Sequence, residues 1–443
     1  MAGKAQVEAL LRLINSSARD ALAQYELYDQ EIPLPESTVP HPLDAADDPL
    51  VLRKAVRLLE GACERLCTML APPVHTVVNR GQNLDWICIL VAIEAKIADV
   101  LSGQDEGMKL EELSKRVGIE SGKLSHILRL LATKHIFSEV KPDTFSNNRL
   151  SLVLQSSSNV AALTSCHTTL TPRAALAFYD NLTNPSITFS YDPTQASFMQ
   201  AVREEGIKGT FFDWLKAHPE KLEVFGRAMF GLGKVMGSSC VLHHYPWSSV
   251  STVCDIGSGV GAFSLPLAKA NPKLKVTLFD LPETIGQAQE HWSQEYPQAK
   301  ADGRVEFVSG DFFQQIPVKS QDVYYMRNIV HNWADEPAQK ILSSVRGAMG
   351  QNSRLLIHDH VLPNISQTQL EASLVEVAPS PLLPNYGAGS VRSYNQDMTM
   401  MLMFNSKERT LDESVALAAA VGLRLEKAWD LAETLLLEFR LAE

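Results

Sequence analysis

Val253-Cys254-Asp255-Ile256-Gly257-Ser258-Gly259-Val260-Gly261 is the stretch whose reading decides the fold. Its apolar start has the look of a buried strand. Three glycines at alternate positions then allow a tight turn and leave room for a ligand to approach the backbone. An apolar, helix-compatible segment follows from Ala262 to Ala270. About twenty residues further on, Val276-Thr277-Leu278-Phe279 forms a second apolar strand that ends in Asp280. A carboxylate at that strand tip is placed to accept both hydroxyls of a ribose, as in dinucleotide sites.

The glycine spacing separates the nucleotides. A dinucleotide fingerprint is G-x-G-x-x-G with a pyrophosphate on the helix N-terminus. Here the run is G-x-G-x-G preceded by Asp255, and an acid beside the loop repels phosphate and suits a cation. An unrelated glycine-rich turn is the plain alternative. The Asp-x-Gly-x-Gly-x-Gly form resembles motif I of class I methyltransferases, which bind S-adenosylmethionine.

Composition narrows the class. A chain of 443 residues implies two or three domains. A net charge of −11 argues against nucleic acid as a partner, because phosphate binding needs clustered Lys and Arg. No apolar run reaches the roughly 18 residues of a membrane span. The N-terminus lacks a signal peptide's apolar core, so a cytoplasmic protein is expected. Cys63 and Cys67 lie one helical turn apart, but no second Cys/His pair has matching spacing. All six cysteines therefore read as buried free thiols, and no metal is expected.

Outward from the glycine loop, alternating strands and helices from Thr252 onward mean a doubly wound parallel sheet. Strands are expected near 252–256, 275–279, 304–309, 322–326 and 354–358. An antiparallel edge hairpin is expected at 423–429 and 434–441. On the N-terminal side, a helix over 7–28 and a Pro-rich linker precede helices at 49–70 and 86–101. The helix at 7–28 should pack on another chain or on the N-terminal domain. Two short helices, one ending at Gly118 and one from Ser121 to about Lys134, lead into a strand pair at 136–140 and 149–153. That is a winged-helix pattern. Leu124, Ile127, Leu128, Leu130 and Leu131 make its second helix largely core, which speaks against DNA binding. Residues 161–245 are helical and rich in large apolar side chains. Residues 364–392, broken by Pro379, Pro381 and Pro384, are too polar for core and read as a flap beside an active site.

Three acids follow successive strands: Asp255, Asp280 and Asp311. Ligands in open α/β sheets bind at the strands' carboxyl ends. Asp311 is suited to an adenine amino group, and Phe312 to the ring face. The fourth strand leads into Arg327-Asn328-Ile329-Val330-His331-Asn332-Trp333. This segment resembles the one that carries the general base in plant- and fungal-type small-molecule O-methyltransferases. His331 matches the base, Asn332 departs from the more usual Asp, and Arg327 stands where that family often has Lys or Arg near the cofactor. A phenol ionises near pH 10, so a positioned imidazole helps it attack at neutral pH. Asp359 and Glu408 match the family's two flanking acids, which would orient the ring as a triad's acid does. Asp397 heads a Met-rich helix that borders the substrate in this family.

The resemblance covers most of the chain. It implies an α/β, Rossmann-like doubly wound sheet with an α-helical, winged-helix N-terminal dimerisation domain, divided at 1–45, 46–160, 161–245 and 246–443. It implies S-adenosylmethionine bound by Asp255, Gly257, Gly259, Gly261, Asp280, Leu281, Asp311, Phe312 and Arg327, with His331, Asp359 and Glu408 as catalytic residues. His167, Phe212, Trp214, Met229, Asn332, Met400 and Met403 are the expected substrate contacts. The expected protein is a homodimer, joined through its N-terminal domain, that methylates a hydroxyl of a small aromatic or polyketide-like metabolite. The alternative is a pericyclase of the same fold, which uses S-adenosylmethionine only as a bound cation.

Overall fold

The computed structural model describes residues 2–28, 30–46, 48–366 and 373–442. Helix α1 (Ala2–Tyr25) packs along α2 (Leu50–Leu70), with Leu10, Leu13 and Ile14 set against Leu58, Ala62 and Leu66. The sequence pattern did not reveal α3 (Pro73–Gly81), which buries none of its residues. The single helix expected over 86–101 is broken into α4 (Asp85–Glu94) and α5 (Ile97–Val100), because Lys96 adopts a left-handed backbone with φ 51°.

The winged-helix unit has its own core around Leu113, Leu124, Leu128, Phe137 and Phe145. Strand β1 (Met108–Lys109) leads into α6 (Leu110–Val117), which stops where Gly118 turns left-handed. Helix α7 (Ser121–Thr133) starts where the Glu120 carboxylate accepts the Gly122 and Lys123 N–H groups, both at 2.9 Å. That cap satisfies donors a helix start otherwise leaves open. The wing differs from expectation. β2 (Ser138–Lys141) pairs with β3 (Thr144–Ser146), not with 149–153. The Asn148 side chain accepts the N–H groups of Leu150 and Ser151, which curls that segment into a 3-10 turn.

Helix α8 (Asn159–Leu176) and the helices after it lead to a seven-stranded sheet. Its strands are β4 (Thr252–Ile256), β5 (Lys275–Asp280), β6 (Val305–Ser309), β7 (Val323–Arg327), β8 (Arg354–Asp359), β11 (Leu423–Asp430) and β12 (Leu435–Leu441), all where the sequence put them. The short β9 (Val361–Leu362) and β10 (Arg409–Thr410) pair separately. The order is β11-β12-β8-β7-β4-β5-β6, parallel except for β12 and β11. Alternate residues face two cores: Val253 and Tyr325 one way, Cys254, Tyr324 and Met326 the other. Burial on both faces explains why these strands are apolar throughout. The chain runs outward from β4 to β6 and returns to place β7 beside β4. The reversal opens a crevice at their carboxyl ends.

Two expectations are corrected. The 364–392 insertion is not a free polar flap, although its residues 367–372 lie outside the described ones. Ala378, Leu382 and Tyr386 are buried against α1 and α2. Its prolines break helix without removing these apolar side chains, which find a groove to fill. Arg57 of α2 then donates to the Ala432 carbonyl at 2.7 Å and stacks on Tyr386 with its guanidinium carbon 3.9 Å from the ring centre. Arg53 donates to the Val235 carbonyl at 2.7 Å, so α2 is bolted to the C-terminal domain. Cys63 and Cys67 are exposed rather than buried, because they lie on the face of α2 turned from this contact.

Helix α2 crosses the insertion through two glycines. A Cβ at Gly61 would stand 2.3 Å from the Tyr386 carbonyl oxygen, and one at Gly389 2.0 Å from that of Arg57. Gly61→Ala should therefore cost about 1–3 kcal/mol despite alanine's better helix propensity. Gly81→Ala, which meets nothing within 4 Å, should be close to neutral in the same thermal melts.

Candidate active site

The β4–β7 crevice brings the glycine loop against the loop that follows β7. A Cβ on Gly257 would meet Ile329, and one on Gly261 would meet Trp292 and Leu278. Gly259, at φ +57°, has nothing within 4 Å of its Cβ position, so the open side of the cradle lies there. The loop is held by Asp280, whose carboxylate accepts the Gly259 N–H at 2.8 Å and the Leu281 N–H at 2.7 Å. Burial raises the Asp280 pKa against the pull of those two hydrogen bonds. Asp311 accepts the Phe313 N–H at 2.8 Å, and Phe312 packs edge-on against Phe313 and Trp333. Leu281 is exposed beside Asp280. An open glycine flanked by strand-end carboxylates fits an uncharged nucleoside and an adjoining cation, so the residues present suit S-adenosylmethionine.

Asp255 differs from expectation. It is sealed from solvent and accepts the Ser264 hydroxyl at 2.5 Å, and burial raises its pKa to about 6. It braces the loop against the helix Ser264–Ala270. Arg327, at the end of β7, lines a cavity of about 670 Å³ between α2, the helix Pro219–Val235 and Phe263.

His331 sits in a 3-10 turn just past β7, and its Nδ1 lies 2.6 Å from Glu408 Oε1. A carboxylate only accepts, so Nδ1 carries the proton and Nε2 is left as the base. Burial alone would lower the imidazole pKa. The Glu408 charge and hydrogen bond, helped by Asp359, outweigh burial and raise it. The pair is positioned from several sides. Asp397 accepts the Glu408 N–H at 2.9 Å, and Ser406 donates to the His331 carbonyl at 2.7 Å. Arg409 donates to the Val330 and Trp333 carbonyls at 3.1 and 2.8 Å. Asp397 lies within the helix Val391–Phe404, not at its head. Asp359 accepts the Asn328 N–H at 2.7 Å, so it fixes the β7 loop and acts on His331 by charge alone. Among the described residues, no group of three or more His, Cys, Asp or Glu side chains could hold a metal ion.

The expected substrate contacts divide. Trp214, Met400 and Met403 are buried in one apolar cluster with Phe198 and Phe211, and Phe212 packs against it. Trp214 is committed to that core: its indole donates to Glu205 at 2.6 Å and stacks on His218. Asn332 donates to the Asn328 carbonyl at 3.1 Å and braces its own loop. His167, on α8, is exposed to solvent, and partial desolvation by its surroundings lowers its pKa with the charge of Arg392 adding to the effect. Met229 lines the large cavity. The sequence reading missed the wall that α2 adds there through Leu52, Arg53 and Val56. The i, i+4, i+8 run Arg53, Arg57, Gly61 on one helix face was the available signal.

Two family models match the chain: an O-methyltransferase domain over residues 194–424 and an O-methyltransferase dimerisation domain over 86–157. A relative named 3-O-methyltransferase 2, from Phanerochaete chrysosporium, is 39% identical over 98% of this chain and 97% of its own length. Among solved structures, mitomycin 7-O-methyltransferase is 26% identical, with a TM-score of 0.65 over 83% of this chain and 97% of that one. The structure of LepI in complex with S-adenosylmethionine is 20% identical, with a TM-score of 0.68 over 88% of this chain and 94% of that one; this likeness is one of fold.

Gly259→Val should lower affinity for S-adenosylmethionine at least tenfold in calorimetry, because the side chain grows into the open cradle. It should also cost about 1–2 kcal/mol of stability from the left-handed backbone. Unchanged affinity would refute this placement of the cofactor.

Proposed function

This chain belongs to the O-methyltransferase family, and from that premise we propose that it methylates a hydroxyl of a small aromatic or polyketide-like metabolite, with His331 as general base. S-adenosylmethionine is the cofactor and supplies an electrophilic methyl group when bound. The observation that carries the reading is the buried His331–Glu408 pair, 2.6 Å apart, on the loop that packs against the glycine cradle. In this reading His331 Nε2 takes the proton from the acceptor hydroxyl as its oxygen attacks. Glu408 holds the ring's orientation and stabilises the imidazolium that forms. Asp359 keeps the β7 loop in register and adds negative charge nearby. Asp280 and Asp311 are assigned to the nucleoside, and Gly257, Gly259 and Gly261 to the bend that lets it approach. Much of the rate would come from holding the acceptor oxygen in line with the methyl–sulfur bond.

The winged-helix unit matches a dimerisation domain, and we assign it the homodimer contact. The proposed division keeps 246–443 as the catalytic unit, 161–245 as helical connector, and 46–160 with the N-terminal helix and linker 1–45. Helix α2 ties the two halves through Arg53 and Arg57. Among the described residues, no helix is long and apolar enough to cross a membrane. Light scattering at micromolar concentration should give twice the chain mass, and a monomer would count against the dimer.

His331→Ala should lower kcat by about a hundredfold or more. S-adenosylhomocysteine should form one for one with product. Product without it would overturn methyl transfer in favour of a cyclisation that leaves the cofactor intact. The pH profile tests the base directly. Only neutral His331 accepts a proton, and Glu408 raises its pKa, so activity should fall as pH drops through a value above that of an ordinary imidazole. In Glu408→Gln that acid limb should move to lower pH while the maximal rate falls. An unmoved limb would exclude the pair as its origin.

A further inference from the structure

A buried cation stands behind the base. Arg409 follows Glu408 directly in the chain and is 5% exposed. Its Nη1 donates to the Val330 carbonyl at 3.1 Å and its Nη2 to the Trp333 carbonyl at 2.8 Å, so the two contacts straddle His331. Nε and Nη2 also donate to Asp335 Oδ1, at 3.1 and 2.8 Å, where the helix Asp335–Arg346 begins. The backbone behind these contacts is fixed, because Arg409 pairs with Val361 between β10 and β9. A planar guanidinium can serve two carbonyls and a carboxylate at once, and an ammonium on a flexible stem cannot.

The charges around His331 explain why a cation is wanted there. The Glu408 side chain is sealed from solvent, and its Oε2 is buried with no hydrogen-bond partner among the described residues. Such a carboxylate favours a charged imidazole beside it, yet an imidazole already protonated cannot act as a base. Asp359, from β8, adds to the negative charge. Asp397, from the helix Val391–Phe404, is a further acid on the Glu408 backbone. His360, which lines the same small cavity, is held neutral by burial. Arg409 supplies the opposing charge. Its own counterion is shared, since exposed Asp335 also has Lys407 at 3.8 Å, and Lys407 in turn meets Glu413 at 2.7 Å.

We propose that Arg409 is a positioning residue for the base: its guanidinium fixes the turn that aims His331, and its charge offsets Glu408 so that the imidazole stays free to take a proton. Two neighbours in one short strand thus divide the task. Glu408 orients the ring and stabilises the imidazolium, and Arg409 limits how firmly that proton is held. The catalytic meaning rests on the methyl-transfer reading, whereas the effect on the His331 proton is measurable without turnover.

The test follows the His331 imidazole by NMR titration with carbon-13-labelled histidine, its signal identified by loss in His331→Ala, alongside kcat against pH. Arg409→Gln removes the charge, so the His331 titration and the acid limb of kcat should both move to higher pH, by about half a unit or more. Asp335→Asn leaves the Arg409 charge less opposed, so both should move to lower pH; at an exposed position it should keep the fold. Arg409→Lys keeps the charge but loses the fork. The titration should then stay in place while kcat falls about tenfold or more, with KM for S-adenosylmethionine little changed. An unmoved His331 titration in Arg409→Gln, or in Asp335→Asn should the first variant not fold, would overturn the proposal. So would wild-type kcat in Arg409→Lys. A titration that moves as stated while the acid limb of kcat does not would uphold this role for Arg409 and sink His331 as the base.

Discussion

The reversal of strand order between β4 and β7 is the constraint on which the rest depends. Parallel strands joined by right-handed crossovers must run outward in one direction and then return. Where they part, nothing covers the strand ends. Here that gap lies between a loop with three left-handed glycines and a loop with a buried histidine. The two loops touch where Gly257 meets Ile329, so neither can move without the other. The cofactor cradle and the base are set by the same sheet that forms the core.

Around that crevice, polar groups are kept in two ways. Buried Asp255 and Asp359 and half-buried Asp280 are carboxylates that accept backbone or hydroxyl donors in the loops. They act as braces, and removing any one would leave loop donors without that partner. His331 and Glu408 form a close buried pair of opposite potential charge in the crevice. Next to them, His358 and His360 have pKa values lowered by burial to about 3 and about 4. They are therefore neutral structural links, with His358 joining Tyr325 to Thr434. Three histidines lie near β8, and their surroundings alone give one of them a base's role.

The N-terminal helices add a wall that a catalytic domain by itself would lack. Arg53 and Arg57 carry α2 onto the turn between β11 and β12 and onto the end of the helix Pro219–Val235. The insertion after β9 fills the angle between α1 and α2. The cavity beside Arg327 exists because these three segments meet, although they lie far apart in the chain.

The sequence by itself determined the sheet, its seven strands, the glycine loop, and the alignment of His331 with Asp359 and Glu408. The sheet and the loop rest on local patterns: apolar runs of strand length, glycine spacing, and acids at strand ends; the grouping of His331 with Asp359 and Glu408 rests on the family resemblance. It could not determine what each acid touches. Asp255 and Asp280 look alike as strand-end residues, yet one braces a helix and the other holds the loop, because only packing decides which donors come within reach. It also could not separate pocket from core in the aromatic and Met-rich segments, since a side chain that lines a pocket and one that fills a core have the same composition; Trp214 is closed in by Phe198 and Phe211. The second strand of the wing, the burial of the insertion and the cavity wall from α2 were likewise settled by contacts between distant segments. Such contacts leave no periodic trace in any one of the segments, so tertiary structure alone decided them.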